Sequence, residues 1–192
     1  MTSLQVCSVA LAALLAATGC VSSRAARFES RVETSRRESE PRVLIERGQA
    51  FAGAGDYARA AQYLRAALQQ HGDPELILPL LVAVEIKDMS YRSASQHLEN
   101  WLRTHPSDVR ARFVFASLLR ALDRPKDAEQ ELLGILKRDP RDADATFALA
   151  VVYRDGLRHY ERADDYFRRY LDLAPEGKHR EEAMSSTMTG LP

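Results

Sequence analysis

Five histidines, His71, His97, His105, His159 and His179, are the residues of this chain whose side chains could most readily do chemistry. Imidazole ligates metals and moves protons, but a metal site needs two or three such groups converging from suitable spacing. No two of the five share a helix face at ligand spacing, and three fall at expected helix ends or turns. They read as solvated or capping histidines, and no metal is expected. Both cysteines, Cys7 and Cys20, lie in the first twenty residues, so the rest of the chain has no thiol for a disulfide, a metal or a nucleophile. The acid pairs Asp164-Asp165 and Glu181-Glu182 sit in charged helical stretches and read as solvated faces. Arg36-Arg37 and Arg168-Arg169 are too sparse, and too well balanced by acids, for a nucleic-acid surface. Lys plus Arg equals Asp plus Glu at 27 each, which leaves no net attraction to nucleic acid or anionic lipid. The sequence also contains no Gly-rich phosphate loop, no His-Glu-x-x-His and no Gly-x-Ser-x-Gly. The residues therefore suggest no enzyme, no cofactor and no small-molecule substrate, and direct attention to surfaces.

The elements that would carry a surface follow from an internal period. Ala60, Ala94 and Ala128 recur every 34 residues, and Ala163 follows one residue late. Tyr57, Tyr91, Pro125 and Tyr160 keep the same offsets, as do Leu64, Leu98, Leu132 and Phe167, and Leu68, Leu102, Leu136 and Leu171. Gly72, Pro106, Pro140 and Pro175 close the repeats. Sparse Gly and Pro, with abundant Leu, Ala, Arg and Glu, suit helices throughout. Four repeats result, at 41–74, 75–108, 109–142 and 143–177, with the extra residue of the last near Gly156.

Each repeat needs two helices in close contact. Gly48, Val82, Ala116 and Ala150 let the first helix approach its partner, and the alanine column answers from the second. Gly55 permits a tight turn and Asp56 can cap the next helix, a role also expected of Asp123, with Pro125 in the first turn. Repeat two departs most, with Met89-Ser90-Tyr91 in place of Gly-Asp-Tyr. It also has Trp101 where the others hold Ala67, Ile135 or Tyr170, and Pro79 five residues into its first helix. A kink or a delayed helix start is expected there.

Leu44, Gly48, Phe51, Gly55-Asp56-Tyr57, Ala60, Leu64, Ala67 and Leu68 together resemble the tetratricopeptide repeat. The resemblance implies an all-α, right-handed superhelical solenoid of four helix–turn–helix repeats over residues 41–177. Residues 178–192 would then form a short capping helix, carried by Ala183, Met184 and Met188, and a frayed end. It also implies that the second, fifth, ninth, twelfth and thirteenth positions of each first helix line a concave, protein-binding groove. Repeat one then offers Arg42, Ile45 and Gln49, and repeat two Leu76, Ala83, Ile86 and Lys87. Repeat three supplies Arg110, Phe113, Ser117 and Arg120, and repeat four Asp144, Phe147, Val151, Arg154 and Asp155. Such a surface suits an amphipathic helix or extended peptide with apolar anchors and acidic groups. Chaperone-binding relatives grip a carboxylate through Asn at the ninth position; here that position holds Gln49, Ala83, Ser117 and Val151.

The first twenty residues have a different logic. From Val6 to Ala17 the chain is apolar apart from Ser8. Twelve residues at helical rise span about 18 Å, against about 30 Å of bilayer core. That is the length of a signal-peptide hydrophobic region, although the first basic residue is Arg24. Ala17-Thr18-Gly19-Cys20 resembles the lipobox of bacterial lipoproteins, which implies removal of residues 1–19 and acylation of Cys20. Val21 after it suggests the outer membrane under the sorting scheme of enteric bacteria. Residues 20–40 would then be a polar tether. The other reading of the run is a buried apolar helix. A lipid-anchored repeat scaffold resembles the pilotin-like assembly factors of bacterial envelopes, whose partners are other envelope proteins. A permanent structural subunit of an envelope complex, or a cytoplasmic regulator if the N-terminus is no signal, are the other two classes.

Overall fold

The computed structural model describes residues 28, 29, 33 and 39–187. Cys7, Cys20, the apolar run and Met188 lie outside the described residues, as does most of the expected tether. Among the described residues every regular element is helical. They are α1 (Pro41–Gly53), α2 (Tyr57–Gln69), α3 (Pro74–Lys87), α4 (Tyr91–Thr104), α5 (Val109–Ala121) and α6 (Pro125–Arg138). Then come α7 (Ala143–Val151), a π-helical turn (Val152–Leu157), α8 (Tyr160–Leu173) and α9 (Arg180–Ser186). The helices follow one another in consecutive pairs, and the short α9 comes after the last pair.

The chain divides into two compact units, ending at Leu80 and beginning at Leu81. The division falls inside α3, one residue beyond Pro79. The expected delayed start does not occur, since α3 begins at Pro74 and carries Pro79 in its interior. Proline has no N–H to close the helical bond back to residue 75, so the ladder loses a rung at that boundary.

In the first unit α1 packs on α2. Gly48 is a point of close approach: a Cβ there would stand 2.9 Å from Leu64 Cγ and 3.3 Å from the Ala60 carbonyl. Leu64 and Ala60 are both buried, so one of them would have to shift. Phe51 stacks on Tyr63 with ring centroids 5.3 Å apart, and Arg59 lies over the Phe51 ring at 5.4 Å. Asp56 caps α2 as expected, its Oδ1 accepting the Arg59 N–H at 3.1 Å.

In the second unit α5 packs on α4 and α6, and α7 on α6 and α8. The alanine column is buried through all four repeats, as is the column of Leu64, Leu98, Leu132 and Phe167. The expected cap at Asp123 is corrected. Asp123 instead adopts the left-handed backbone, φ 57°, that Gly55, Met89 and Arg158 hold in the other repeats. The first helix of every repeat thus ends through one left-handed residue, and only Gly55 occupies that region without a Cβ penalty. Arg124 precedes α6 with no side-chain cap and pairs with Asp127 at 2.7 Å. The extra residue of repeat four is absorbed by the π-helical turn, which widens one turn without breaking the helix. Gly156 in that turn meets Pro125 so closely that a Cβ would come within 2.5 Å of the proline ring.

Trp101 owes its place to the turn between α4 and α5. Its indole N–H donates to Asp108 Oδ2 at 2.9 Å, and its ring stacks on His105 with centroids 3.6 Å apart. Asp108 Oδ1 accepts the Ala111 N–H at 2.9 Å and so caps α5; Asp142, one period on, caps α7 through Ala145 at 2.8 Å. Burial works against the Asp108 charge, but the donors of Ala111, Trp101 and Arg110, with His105 nearby, outweigh it and hold the carboxyl below its usual range. A carboxyl more acidic in the folded state stabilises the fold above its unfolded value of about 3.9, and that contribution is lost as pH falls through the folded value. Asp108→Asn keeps the cap acceptor but turns an amide N–H toward the indole N–H. It should cost about 1–2 kcal/mol at neutral pH. Urea denaturation at pH 7 and below pH 4 checks this, with the deficit expected to shrink in acid.

Candidate protein-binding surface

The expected inward positions are not equally available. On α1, Ile45 is half-buried and Gln49 exposed, while Arg42 pairs with Glu46 at 3.1 Å. On α3, Leu76, Ala83 and Lys87 are exposed and Ile86 is half-buried. On α5, Arg110, Phe113, Ser117 and Arg120 follow at spacings of three, four and three, which places them on one helix face. Phe113 is half-buried between exposed Arg110, Ser117 and Arg120. The Ser117 hydroxyl donates back to the Phe113 carbonyl at 3.0 Å, which leaves its lone pairs toward solvent. Among the described residues neither Lys87, Arg110 nor Arg120 has an ion-pair partner. The face is a half-covered aromatic ring within cationic charge.

Repeat four differs, because its expected groove residues are not open to solvent. Phe147 is 7% and Val151 8% exposed, so both belong to the core. Phe147 meets Phe167 edge-on at 5.7 Å and Tyr170 at 5.2 Å, and the His179 ring covers its outer side at 4.0 Å. Arg154 is engaged on three sides, donating to Asp155 at 2.7 Å, to Glu182 at 3.0 Å and to Ser186 at 2.6 Å. The hydrogen-bonded Arg154 guanidinium holds the Asp155 carboxyl below its usual range against the effect of burial, and Arg120 adds to the shift. Spacing put these side chains on the expected helix face; the arrival of α9 over that face is not visible in their spacing.

One buried charged group lies outside the expected site residues. Glu85 is fully buried, its Oε1 accepting from Ser93 Oγ at 2.7 Å and lying 3.5 Å from His97 Nε2. It occupies the column of Phe51, Leu119 and Tyr153. In repeats one and four that column makes an aromatic pair beneath an arginine: Phe51 with Tyr63 under Arg59, and Tyr153 with Tyr166 under Arg162. Repeat two replaces ring, ring and guanidinium by Glu85, His97 and Ser93. The signal was a lone acid inside the apolar run Leu80 to Ile86. The reading of His97 as a solvated or capping residue is corrected accordingly. Tyr153 shows the opposite polarity, since burial and the Glu129 carboxylate accepting its hydroxyl at 2.7 Å push the phenol up to about 12. Among the described residues no group of three His, Cys, Asp or Glu side chains is placed to hold a metal ion. Nor is any described helix long and apolar enough to cross a membrane.

Comparison with known proteins addresses the fold. The family model described as tetratricopeptide repeat matches residues 85–152. No curated protein matches the chain. Among solved structures, YrrB, described as a TPR protein with an unusual peptide-binding site, is 20% identical with a TM-score of 0.67, over 83% of this chain and 88% of that one. MamA of Desulfovibrio magneticus RS-1, from residue 41 to its end, is 20% identical with a TM-score of 0.63, over 76% and 90%. A tetratricopeptide repeat protein of Parabacteroides merdae is 20% identical with a TM-score of 0.66, over 76% of this chain and 58% of its own.

Proposed function

We propose that this chain, whose fold is that of the tetratricopeptide repeats, is a lipid-anchored scaffold that docks a segment of another envelope protein and assists assembly or localisation of an envelope complex. The single observation that supports docking is the α5 face, where half-buried Phe113 lies among Arg110, Ser117 and Arg120. Apolar anchors give such contacts their affinity, and exposed cations around them favour an acidic partner and speed its approach. An amphipathic helix or extended peptide with an apolar anchor and flanking acids meets both demands. YrrB, a protein of similar fold with a peptide-binding site of its own, supports the same use of the fold by analogy. The anchor rests on Ala17-Thr18-Gly19-Cys20 after the apolar run. Two or more acyl chains on Cys20 would hold the protein stably on a membrane, here placed at the outer membrane facing the periplasm.

Two measurements on native membranes test the proposal. Mass spectrometry should find a mature N-terminus at an acylated Cys20; an intact Met1 with an unmodified Cys20 removes the anchor. A photo-crosslinker at Ser117 should capture one protein partner, while the same group at exposed Gln130 on α6 should not. Capture from Gln130 alone would move the docking surface off α5.

A further inference from the structure

Helix α9 covers the inward positions of repeat four in the manner of a bound ligand. His179, the residue just before it, lays a ring flat on Phe147, 4° from parallel, and the ammonium of Lys178 stands 3.0 Å from Asp144. Glu182 and Ser186 both accept from Arg154, and Ala183 is completely buried beneath the helix. Asp144, Phe147 and Arg154 are the second, fifth and twelfth residues of the repeat, all positions that the repeat architecture turns inward. We propose that α9 is a resident occupant of a second docking surface on repeat four, and that a partner helix of the same chemistry enters by displacing it. The partner's motif is read from α9 itself: a flat ring, then an acid three residues later and a small residue four residues later. This rests on the reading of the inward positions as the docking side.

The way α9 is held makes displacement feasible. It has seven residues, far fewer than an isolated helix needs in water, and no side-chain cap at its start. Ala183 is its one buried residue, and Met184 is 48% exposed. The ion pairs Arg154–Glu182 and Lys178–Asp144 are at least partly exposed, so each contributes little. The bond from the His179 N–H to the Tyr170 hydroxyl at 3.0 Å is part-buried, and the backbone of an incoming segment can replace it. Elements held by so little buried surface open well below the cost of global unfolding. The floor beneath is firmer, because Phe147 also packs on Phe167 and Tyr170 from α8. Opening α9 therefore bares an aromatic surface beside Arg154 while α7 and α8 stay together.

A labelled peptide with the sequence of residues 176–187 serves as the probe, titrated into the full-length protein and two variants. Ala183→Asp places a carboxylate at a site with no space or solvent and should eject α9; peptide affinity should rise at least tenfold over wild type. Glu182→Arg sets a cation against Arg154 at a partly exposed site, and should give a smaller gain with an unchanged cooperative melt. A peptide carrying Lys in place of the acid corresponding to Glu182 should lose most of its binding to both variants. Hydrogen exchange in the wild type should show α9 amides exchanging at least a hundredfold faster than those of α8. Equal protection of α9 and α8 overturns the proposal, as does a folded Glu182→Arg protein that binds the peptide no better than wild type. Crosslinking from Ser117 is independent of α9, so the α5 surface can stand if this proposal falls, and the reverse.

Discussion

Replacing Ala128 by Leu, or Ala94 by Leu, should lower the thermal midpoint by roughly 2–12 °C, the equivalent of about 1–3 kcal/mol of overpacking in a domain of this size. Both alanines are fully buried, and they stand in the column whose first member, Ala60, faces Gly48 across the α1–α2 contact. There a single added carbon would already stand 2.9 Å from Leu64. Three further carbons at Ala94 or Ala128 must be accommodated by separating helices whose other large side chains, such as Leu98 and Leu132, are already buried. Arg168→Leu, at an exposed i,i+4 pair with Asp164, is the control and should shift the midpoint little. Calorimetry or circular dichroism reads the result, and unchanged midpoints in both alanine variants would refute the helix pairing.

Phe113→Ala and Phe147→Ala should separate binding from folding. Phe147 is enclosed by Phe167, Tyr170 and His179, so its removal leaves a cavity and should cost about 3–5 kcal/mol, with the melt of repeat four weakened first. Phe113 is half-buried on α5, and its truncation leaves no enclosed cavity. If it anchors a partner, Phe113→Ala should reduce capture about thirtyfold, corresponding to about 2 kcal/mol, while the melt shifts only slightly. Arg120→Ala should mainly slow association, and its effect should fade as salt is added. Titration calorimetry with the captured partner, beside a melt of each variant, checks all three. Normal affinity in a folded Phe113→Ala protein would exclude the α5 face.

The repeat was legible because its constraints are local and periodic. Two helices that cross closely in every repeat demand a small residue at the same two offsets each time. Gly48, Val82, Ala116 and Ala150 against Ala60, Ala94, Ala128 and Ala163 spell that demand without reference to anything distant. The extra residue of repeat four was likewise visible near Gly156, although its conversion into a π-helical turn depends on how Val152–Leu157 fits against Pro125. The left-handed position was readable only at Gly55. Met89, Asp123 and Arg158 take the same backbone because helix ends on both sides compel it, and their side chains do not announce it. Asp123 looked like a cap for that reason, since a short polar side chain before a helix suits either role.

Helical spacing by itself determined which residues share a face; the tertiary structure decided which faces meet solvent. Arg110, Phe113, Ser117 and Arg120 share one face of α5 by spacing alone, and Phe147, Val151 and Arg154 obey the same rule on repeat four. Yet α9 closes over the second set and not the first, through contacts such as Arg154 to Glu182 that span 28 residues. Glu85, His97 and Ser93 also come together only because α3 and α4 fold back on each other. A period of 34 residues records what each repeat requires of its own two helices. Contacts made once, between elements that do not repeat, leave no period to read.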